Sequence, residues 1–197
     1  AATPSASERW RRVAQAGNVL IYENTRALPR AWLASGAEVL DEQATLAAIR
    51  TGRLPGGAVW EPRRTALLEA TPDGFSLSDA NAFEGRAEVT RYEPNRVEVR
   101  TAADAPSVLV LAENHYPGWR AEVDGRAVET LRVNYNQRGV ALPPGAHEVR
   151  FVYRPKSVLL GLLVTLLTAA ALALWRLRLL PEEKLLRLLS RSPKRHG

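Results

Sequence analysis

"SVLVLAENHYPGWRAEVDGRAVET", residues 107–130, carries three different signals in one stretch. "SVLVLAE" is a continuous apolar run of strand length, the pattern of a strand covered on both faces. Pro117-Gly118 marks a turn. Asp124-Gly125 closes a two-residue hairpin whose first arm puts Trp119, Ala121 and Val123 on one face and Arg120 and Glu122 on the other. The same grammar extends outward. "RAEVTRYEPNRVEVR" reads as two alternating runs around Glu93-Pro94-Asn95. "PPG" at 143–145 turns the chain into "AHEVRFVYR", where His147, Val149, Phe151 and Tyr153 share a face. Five or more short antiparallel strands with polar outer faces describe a β-sandwich or jelly-roll-like domain.

The first third of the chain adds small helical pieces. "SERWRRVAQAG", ending at Gly17, predicts a short helix, with "RWRR" at 9–12 on its solvated face, and "NVLIYE" predicts a short strand after it. "DEQATLAAIRTG" predicts a second helix with Asp41 as N-cap and Gly52 just past its end. The fold class is therefore mainly β with small α additions (α+β).

A very different segment follows the strands. From Val158 to Trp175 the sequence "VLLGLLVTLLTAAALALW" contains no charge, and Thr165 and Thr168 are its polar residues. Such a helix is about 27 Å long, close to the about 30 Å hydrocarbon thickness of a bilayer, and both hydroxyls can bond back to the helix. Beyond it, Arg176, Arg178, Lys184, Arg187, Arg191, Lys194 and Arg195 face Glu182 and Glu183, which accounts for +5 of the net charge of +6. By the positive-inside rule the tail is cytoplasmic and residues 1–156 are extracytoplasmic. Within the tail, "PEEKLLRLLSR" groups Leu185, Leu186, Leu188 and Leu189 on one side, the pattern of a helix lying along the inner membrane surface. The organisation expected is a mixed α/β portion over 1–85, an antiparallel sandwich portion over 86–156, a transmembrane helix over 157–176 and a basic tail over 177–197. Arg154-Pro155-Lys156 abuts the span and is expected to hold the sheet near the bilayer surface.

Three absences narrow the function. No cysteine is present, so the outer domain relies on a packed core rather than disulfides. The opening "AATPSASERW" has no apolar h-region, and the chain has no methionine, from which a longer, multi-pass parent is expected; a processed single-pass protein is the alternative. The three histidines, at 115, 147 and 196, have no metal-ligand spacing, and neither a Gly-x-Ser-x-Gly elbow nor a phosphate-cradling glycine loop occurs. Outside the tail the charge is nearly balanced, which removes the electrostatic reason to bind nucleic acid. Glu113 and Asp124 are the one carboxylate combination reminiscent of a glycosidase pair, although Asp-Gly turn chemistry already accounts for Asp124.

The ordered blocks "YENTRALPRAW", "YEPNRVEVRT", "LVLAENHYPGWRAEVDG" and "LPPGAHEVRFVYRPKSVLLG" resemble the C-terminal extracytoplasmic domain and last membrane helix of YfhO-like bacterial membrane proteins. The resemblance covers almost the whole chain. It implies a multi-pass inner-membrane protein similar to the GT-C glycosyltransferases, which move sugars from polyprenyl-phosphate carriers onto cell-envelope polymers. The catalytic acid of such enzymes is expected near the N-terminal membrane helices, so the resemblance carries no catalytic residue and no cofactor onto this segment. The expected partners are the lipid bilayer, the upstream transmembrane part, and a polyprenyl-phosphate-linked sugar or envelope polysaccharide.

Two readings of "ENHYPGW" stand at this point. In one, Pro117 and Gly118 make a turn while Tyr116 and Trp119 fill the end of the sandwich. In the other, Tyr116 and Trp119 offer rings to a sugar face, and Glu113, Asn114, Asn134, Tyr135 and Arg138 bond hydroxyls or a phosphate. The amide-rich loop "RVNYNQRG" at 132–139 favours keeping the second. A membrane-anchored, non-enzymatic carbohydrate-binding or scaffolding module is the competing functional class.

Overall fold

The computed structural model describes residues 9–72 and 83–178. Strands β1 (Trp10–Ala16), β2 (Val19–Asn24), β3 (Ala31–Ala34) and β4 (Gly36–Val39) precede helix α1 (Glu42–Thr51). Then come β5 (Thr65–Leu68), β6 (Gly85–Glu93), β7 (Arg96–Ala103), β8 (Ser107–Asn114), β9 (Trp119–Val123), β10 (Arg126–Val128), β11 (Leu131–Val133), β12 (Gln137–Leu142) and β13 (Gly145–Tyr153). Helix α2 (Lys156–Arg178) follows.

Two sheets build the sandwich, one in the order β10-β9-β13-β7-β6 and the other in the order β3-β8-β12-β11-β5-β4, and β1 and β2 form a separate two-stranded sheet. Their shared core takes Ala31 and Leu33 from β3, Leu109 and Leu111 from β8 and Val140 and Leu142 from β12. The opposing sheet supplies Val97, Val99, Trp119, Ala121, Val149 and Phe151. Strand β8 behaves as its unbroken apolar run requires, because Val108 and Val110 enter a second buried cluster on the far side of the same sheet, with Trp32, Ala66, Leu68 and Val133. The expected hairpins form as well. Asp124 and Gly125 both adopt positive φ, at 50° and 79°, which is what a two-residue primed turn needs.

Helix α1 sits where the sequence places it. The Asp41 side chain accepts from the Ala44 N–H at 2.7 Å, and Gly52, at φ 69°, donates its N–H to the Ala48 carbonyl. The helix lies within the connection between β4 and β5, which pair in parallel, the one parallel pairing among the described residues. A parallel pair needs such a long crossover, and the helix is the usual way to make it.

The helix expected over 7–17 gives way to a strand in its described residues 10–16, which are β1, paired with β2 through a tight turn at Gly17-Asn18; residues 7 and 8 lie outside the described residues. Gly17 takes φ 59°, as the first position of a primed turn demands. Pairs such as Arg11–Glu23, with Nη2–Oε2 at 2.5 Å, lie across the ladder. Arg11 and Arg12 of "RWRR" are exposed as expected, but on strand β1 rather than on a helix face.

The outer face of the five-stranded sheet is charged and internally paired. Glu98, Arg150 and Glu122 stand side by side across β7, β13 and β9. Glu98 accepts from Arg96 Nε at 2.8 Å and Arg150 Nε at 3.1 Å, while Arg150 Nη1 donates to Glu122 at 3.4 Å. The Arg96 hydrogen bond comes first among the causes that hold the Glu98 carboxyl below its ordinary value, with Arg150 adding to it.

The chain divides into two compact units, Ala1–Arg154 and Pro155–Gly197. In the second, α2 is the one helix among the described residues long and apolar enough to cross a membrane. Thr165 and Thr168 donate their hydroxyls to the carbonyls of Gly161 and Val164, each at 2.9 Å. The helix expected within "PEEKLLRLLSR" lies outside the described residues.

Candidate functional site

Strands β8 and β12 are neighbours, and their alternation sends Leu109, Leu111 and Glu113 from one, and Arg138, Val140 and Leu142 from the other, toward the inter-sheet space. The apolar members fill the core. Glu113 and Arg138 are the last of each series, so an ion pair closes the end of the sandwich.

Arg138 is only 2% exposed. Its guanidinium carbon lies 3.7 Å from the ring centroid of Trp119 and 5.7 Å from that of Phe151, both on the opposing sheet. Nη2 stands 3.8 Å from Glu113 Oε2, while Nε and Nη1 are buried without a hydrogen-bond partner among the described residues. Burial pulls this guanidinium below its ordinary value, and the Glu113 carboxylate opposes that pull. The group stays charged, because no ordinary environment deprotonates arginine. Glu113 is also held from the other side, by Arg30 and by the Tyr92 hydroxyl, which donates to Oε1 at 2.9 Å. That hydrogen bond to a carboxylate raises the Tyr92 phenol above its usual value. Arg30 in turn stacks 4.5 Å over the Tyr92 ring. Two cations thus share one carboxylate.

The turn beside this centre is built from aromatic rings. Trp119 and Tyr153 are register partners in β9 and β13, and their ring centroids lie 5.3 Å apart. Tyr116 meets Trp119 edge-on at 6.2 Å and Tyr153 at 5.4 Å. Gly118, at φ 107°, makes the turn, and its carbonyl accepts from the Arg154 N–H at 2.7 Å. Trp119 is buried; Tyr116 is 43% exposed.

The seven residues singled out from sequence divide between two places. Glu113, Tyr116, Trp119 and Arg138 come together. The loop of Asn134 and Tyr135 does adjoin the "HYPGW" turn, through His115 N–H to the Asn136 carbonyl at 2.8 Å and Asn136 Nδ2 to Asn114 Oδ1 at 3.3 Å. Asn134, however, is occupied by its own neighbours: Oδ1 accepts from the Leu67 N–H and Nδ2 donates to Gln137 Oε1, each at 2.9 Å. Tyr135 lies under the Arg132 guanidinium, 5.2 Å from its centroid. Sequence reasoning missed Arg30, Tyr92 and Tyr153. Tyr153 had a signal, its shared face with Phe151; Arg30 and Tyr92 reach Glu113 from 83 and 21 residues away, and no spacing rule finds such contacts.

Chemically the centre is an anchored positive cluster rather than an acid–base pair. Glu113 has no freedom to act as a nucleophile or proton donor while two arginines and a phenol engage it. Asp124 closes the far end of β9 from Trp119, a five-residue strand spanning about 16 Å, whereas glycosidase carboxyls stand about 5–10 Å apart. Asp124 is bound to His147 Nδ1 at 2.7 Å and accepts from the Glu148 N–H at 2.9 Å. No group of three or more His, Cys, Asp or Glu capable of holding a metal occurs among the described residues.

A β-sandwich followed by a membrane-length apolar helix defines the class, a membrane protein with a β-rich domain. Within that class, residues 75–165, just under half of the chain, are similar to a known family: they match the family model described as bacterial membrane protein YfhO. The matched segment runs through β6–β13 into the start of α2 and contains three of the four sequence blocks that carried the resemblance, "YENTRALPRAW" lying outside it. No curated protein and no solved structure matches the chain.

Proposed function

We propose that this chain is the C-terminal portion of a multi-pass, glycosyltransferase-like protein of the bacterial inner membrane. The β domain is extracytoplasmic and non-catalytic, the tail cytoplasmic, and the parent moves sugar from a polyprenyl-phosphate carrier to an envelope polymer. The YfhO match and the apolar helix support membrane residence, and the basic residues after the helix support the orientation. The observation that carries the non-catalytic role is the state of Glu113, which holds a charge centre together and is not poised over open space. The domain supports the parent and contributes to recognition of the acceptor or lipid-linked sugar. At the turn, exposed Tyr116 and Asn114 present the ligand-facing groups, backed by Trp119, Glu113 and Arg138, with Asn134 and Tyr135 in the adjoining loop.

The test is sugar transfer in native membranes from a labelled polyprenyl-phosphate sugar, comparing wild type with Glu113→Gln and Asp124→Asn. Turnover per folded molecule is expected to stay within about threefold, because general acid–base catalysis contributes about 10²–10⁴-fold and neither residue supplies it. A loss of about a hundredfold with folding intact overturns the non-catalytic assignment. No transfer by the wild type under any donor supports the anchored-module reading instead.

A further inference from the structure

On the outer face of the six-stranded sheet, opposite the sandwich core, the α1 crossover leaves a small cleft of about 190 Å³ walled by Leu28, Trp32, Ile49, Trp60 and Pro62. Asn134 and Gln137 complete its lining, and no charged side chain among the described residues lines it. We propose that this cleft is a binding subsite for a single neutral pyranose ring.

Both indoles are fixed in place. Trp32 Nε1 donates to the Pro62 carbonyl at 2.8 Å, and Trp60 Nε1 donates to the Thr65 carbonyl at 2.9 Å. Trp60, half-buried and with its N–H already satisfied, offers its apolar face at little further cost in ordering, while the buried Trp32 forms the floor beside it. The amides are equally pre-set. Asn134 (φ 49°) and Tyr135 (φ 76°) both sit in the left-handed region, a conformation that a bulky residue such as tyrosine rarely adopts and that persists only where surroundings enforce it. That turn holds the Asn134 amide between Leu67 and Gln137 and leaves the Gln137 amide nitrogen without a protein acceptor among the described residues.

The chemistry narrows the ligand. The uncharged lining gives no counter-ion for a phosphate or a uronate. A purely apolar ligand would strand the Gln137 amide. A pyranose with equatorial hydroxyls matches both, with a C–H face against the Trp60 ring and hydroxyls at the amide edge. The volume lies below the about 300–1,000 Å³ of pockets that enclose larger ligands, so one ring is the unit recognised.

This site deepens the recognition role proposed above and rests on it for its use, but its test reads binding alone, so it can fail while the transferase reading stands, and the reverse. The full-length protein in phospholipid nanodiscs, with 15N-labelled indoles, is titrated with methyl β-D-glucopyranoside and, in parallel, with glycerol. The Trp60 and Trp32 indole signals are expected to shift saturably with a Kd on the order of 1–10 mM, with Trp119 and Trp10 unmoved. Gln137→Leu and Trp60→Ala are each expected to weaken binding about tenfold or more, the unmoved Trp119 signal reporting intact folding in each. The proposal is overturned by the absence of a saturable shift, by an equal response to glycerol, or by wild-type affinity in folded Gln137→Leu.

Discussion

The guanidinium of Arg138, on the inner face of one sheet, lies 3.7 Å from the ring centroid of Trp119 on the other, and both are buried. This contact joins the two sheets at the end of the sandwich where the apolar layers run out. Stacking on the ring stabilises the arginine, and Glu113 supplies the opposing charge, so the pair fastens the mouth of the core.

Arg138→Ala is therefore expected to lower stability by about 3 kcal/mol, since it removes the stack and leaves Glu113 with one arginine fewer. Arg138→Lys should recover less than half of that loss, because an ammonium lacks the planar face. Urea unfolding of the detergent-solubilised chain, followed by near-ultraviolet circular dichroism, measures both. Equal stability of Lys and wild type would show that charge alone matters there.

Trp119 and Tyr116 stand two turn residues apart in sequence but at opposite degrees of burial. Trp119→Ala should cost about 3–5 kcal/mol as a core truncation. Tyr116→Ala should cost about 1 kcal/mol, the worth of its edge-on ring contacts. Thermal melts of the two variants distinguish a filled sandwich end from a ligand platform.

Gly139, next to Arg138 on central strand β12, has no room for a side chain: an added Cβ would meet Val133 Cγ2 at 2.6 Å and the Leu109 carbonyl at 2.7 Å. A backbone carbonyl in a sheet cannot move aside as a flexible side chain can. Gly139→Ala is expected to destabilise by about 1–3 kcal/mol and to lower Tm accordingly.

The hydrogen bond from His147 comes first among the causes that depress the Asp124 carboxyl from its ordinary 3.8, followed by the Glu148 N–H. A depressed carboxyl stabilises the fold above its unfolded value, and that contribution is lost as pH falls through the folded value. The stabilisation is thus complete above about pH 5 and declines below about pH 4. Asp124→Asn should lower Tm at pH 6 and approach the wild type as the pH is taken toward 3. A Tm difference constant across that range would exclude this linkage.

The legibility of the candidate site follows the distances involved. Trp119, Ala121 and Val123 share a face because strand alternation is local, and Asp41 and Gly52 mark helix α1 because caps are chosen by neighbouring residues. The segment "WRRVAQA" shows the limit. Its alanines, glutamine and arginines are good helix formers, yet partners across the Gly17-Asn18 turn pull it into a strand, since propensity differs by less than about 1 kcal/mol per residue between such states.

The sequence by itself determined the membrane-length helix, the hairpins and the two-sided burial of β8, because each depends on hydrophobic pattern and turn chemistry over a few residues. Only the tertiary structure decided that Glu113 is clasped by Arg30, Tyr92 and Arg138, and that Asn134 serves the Leu67 strand and the cleft of Trp32 and Trp60. These contacts exist because β3, β8 and β12 lie side by side in a sheet while β6 belongs to the opposing one. That adjacency comes from how two whole sheets bury their apolar faces, and no short stretch of the chain encodes it.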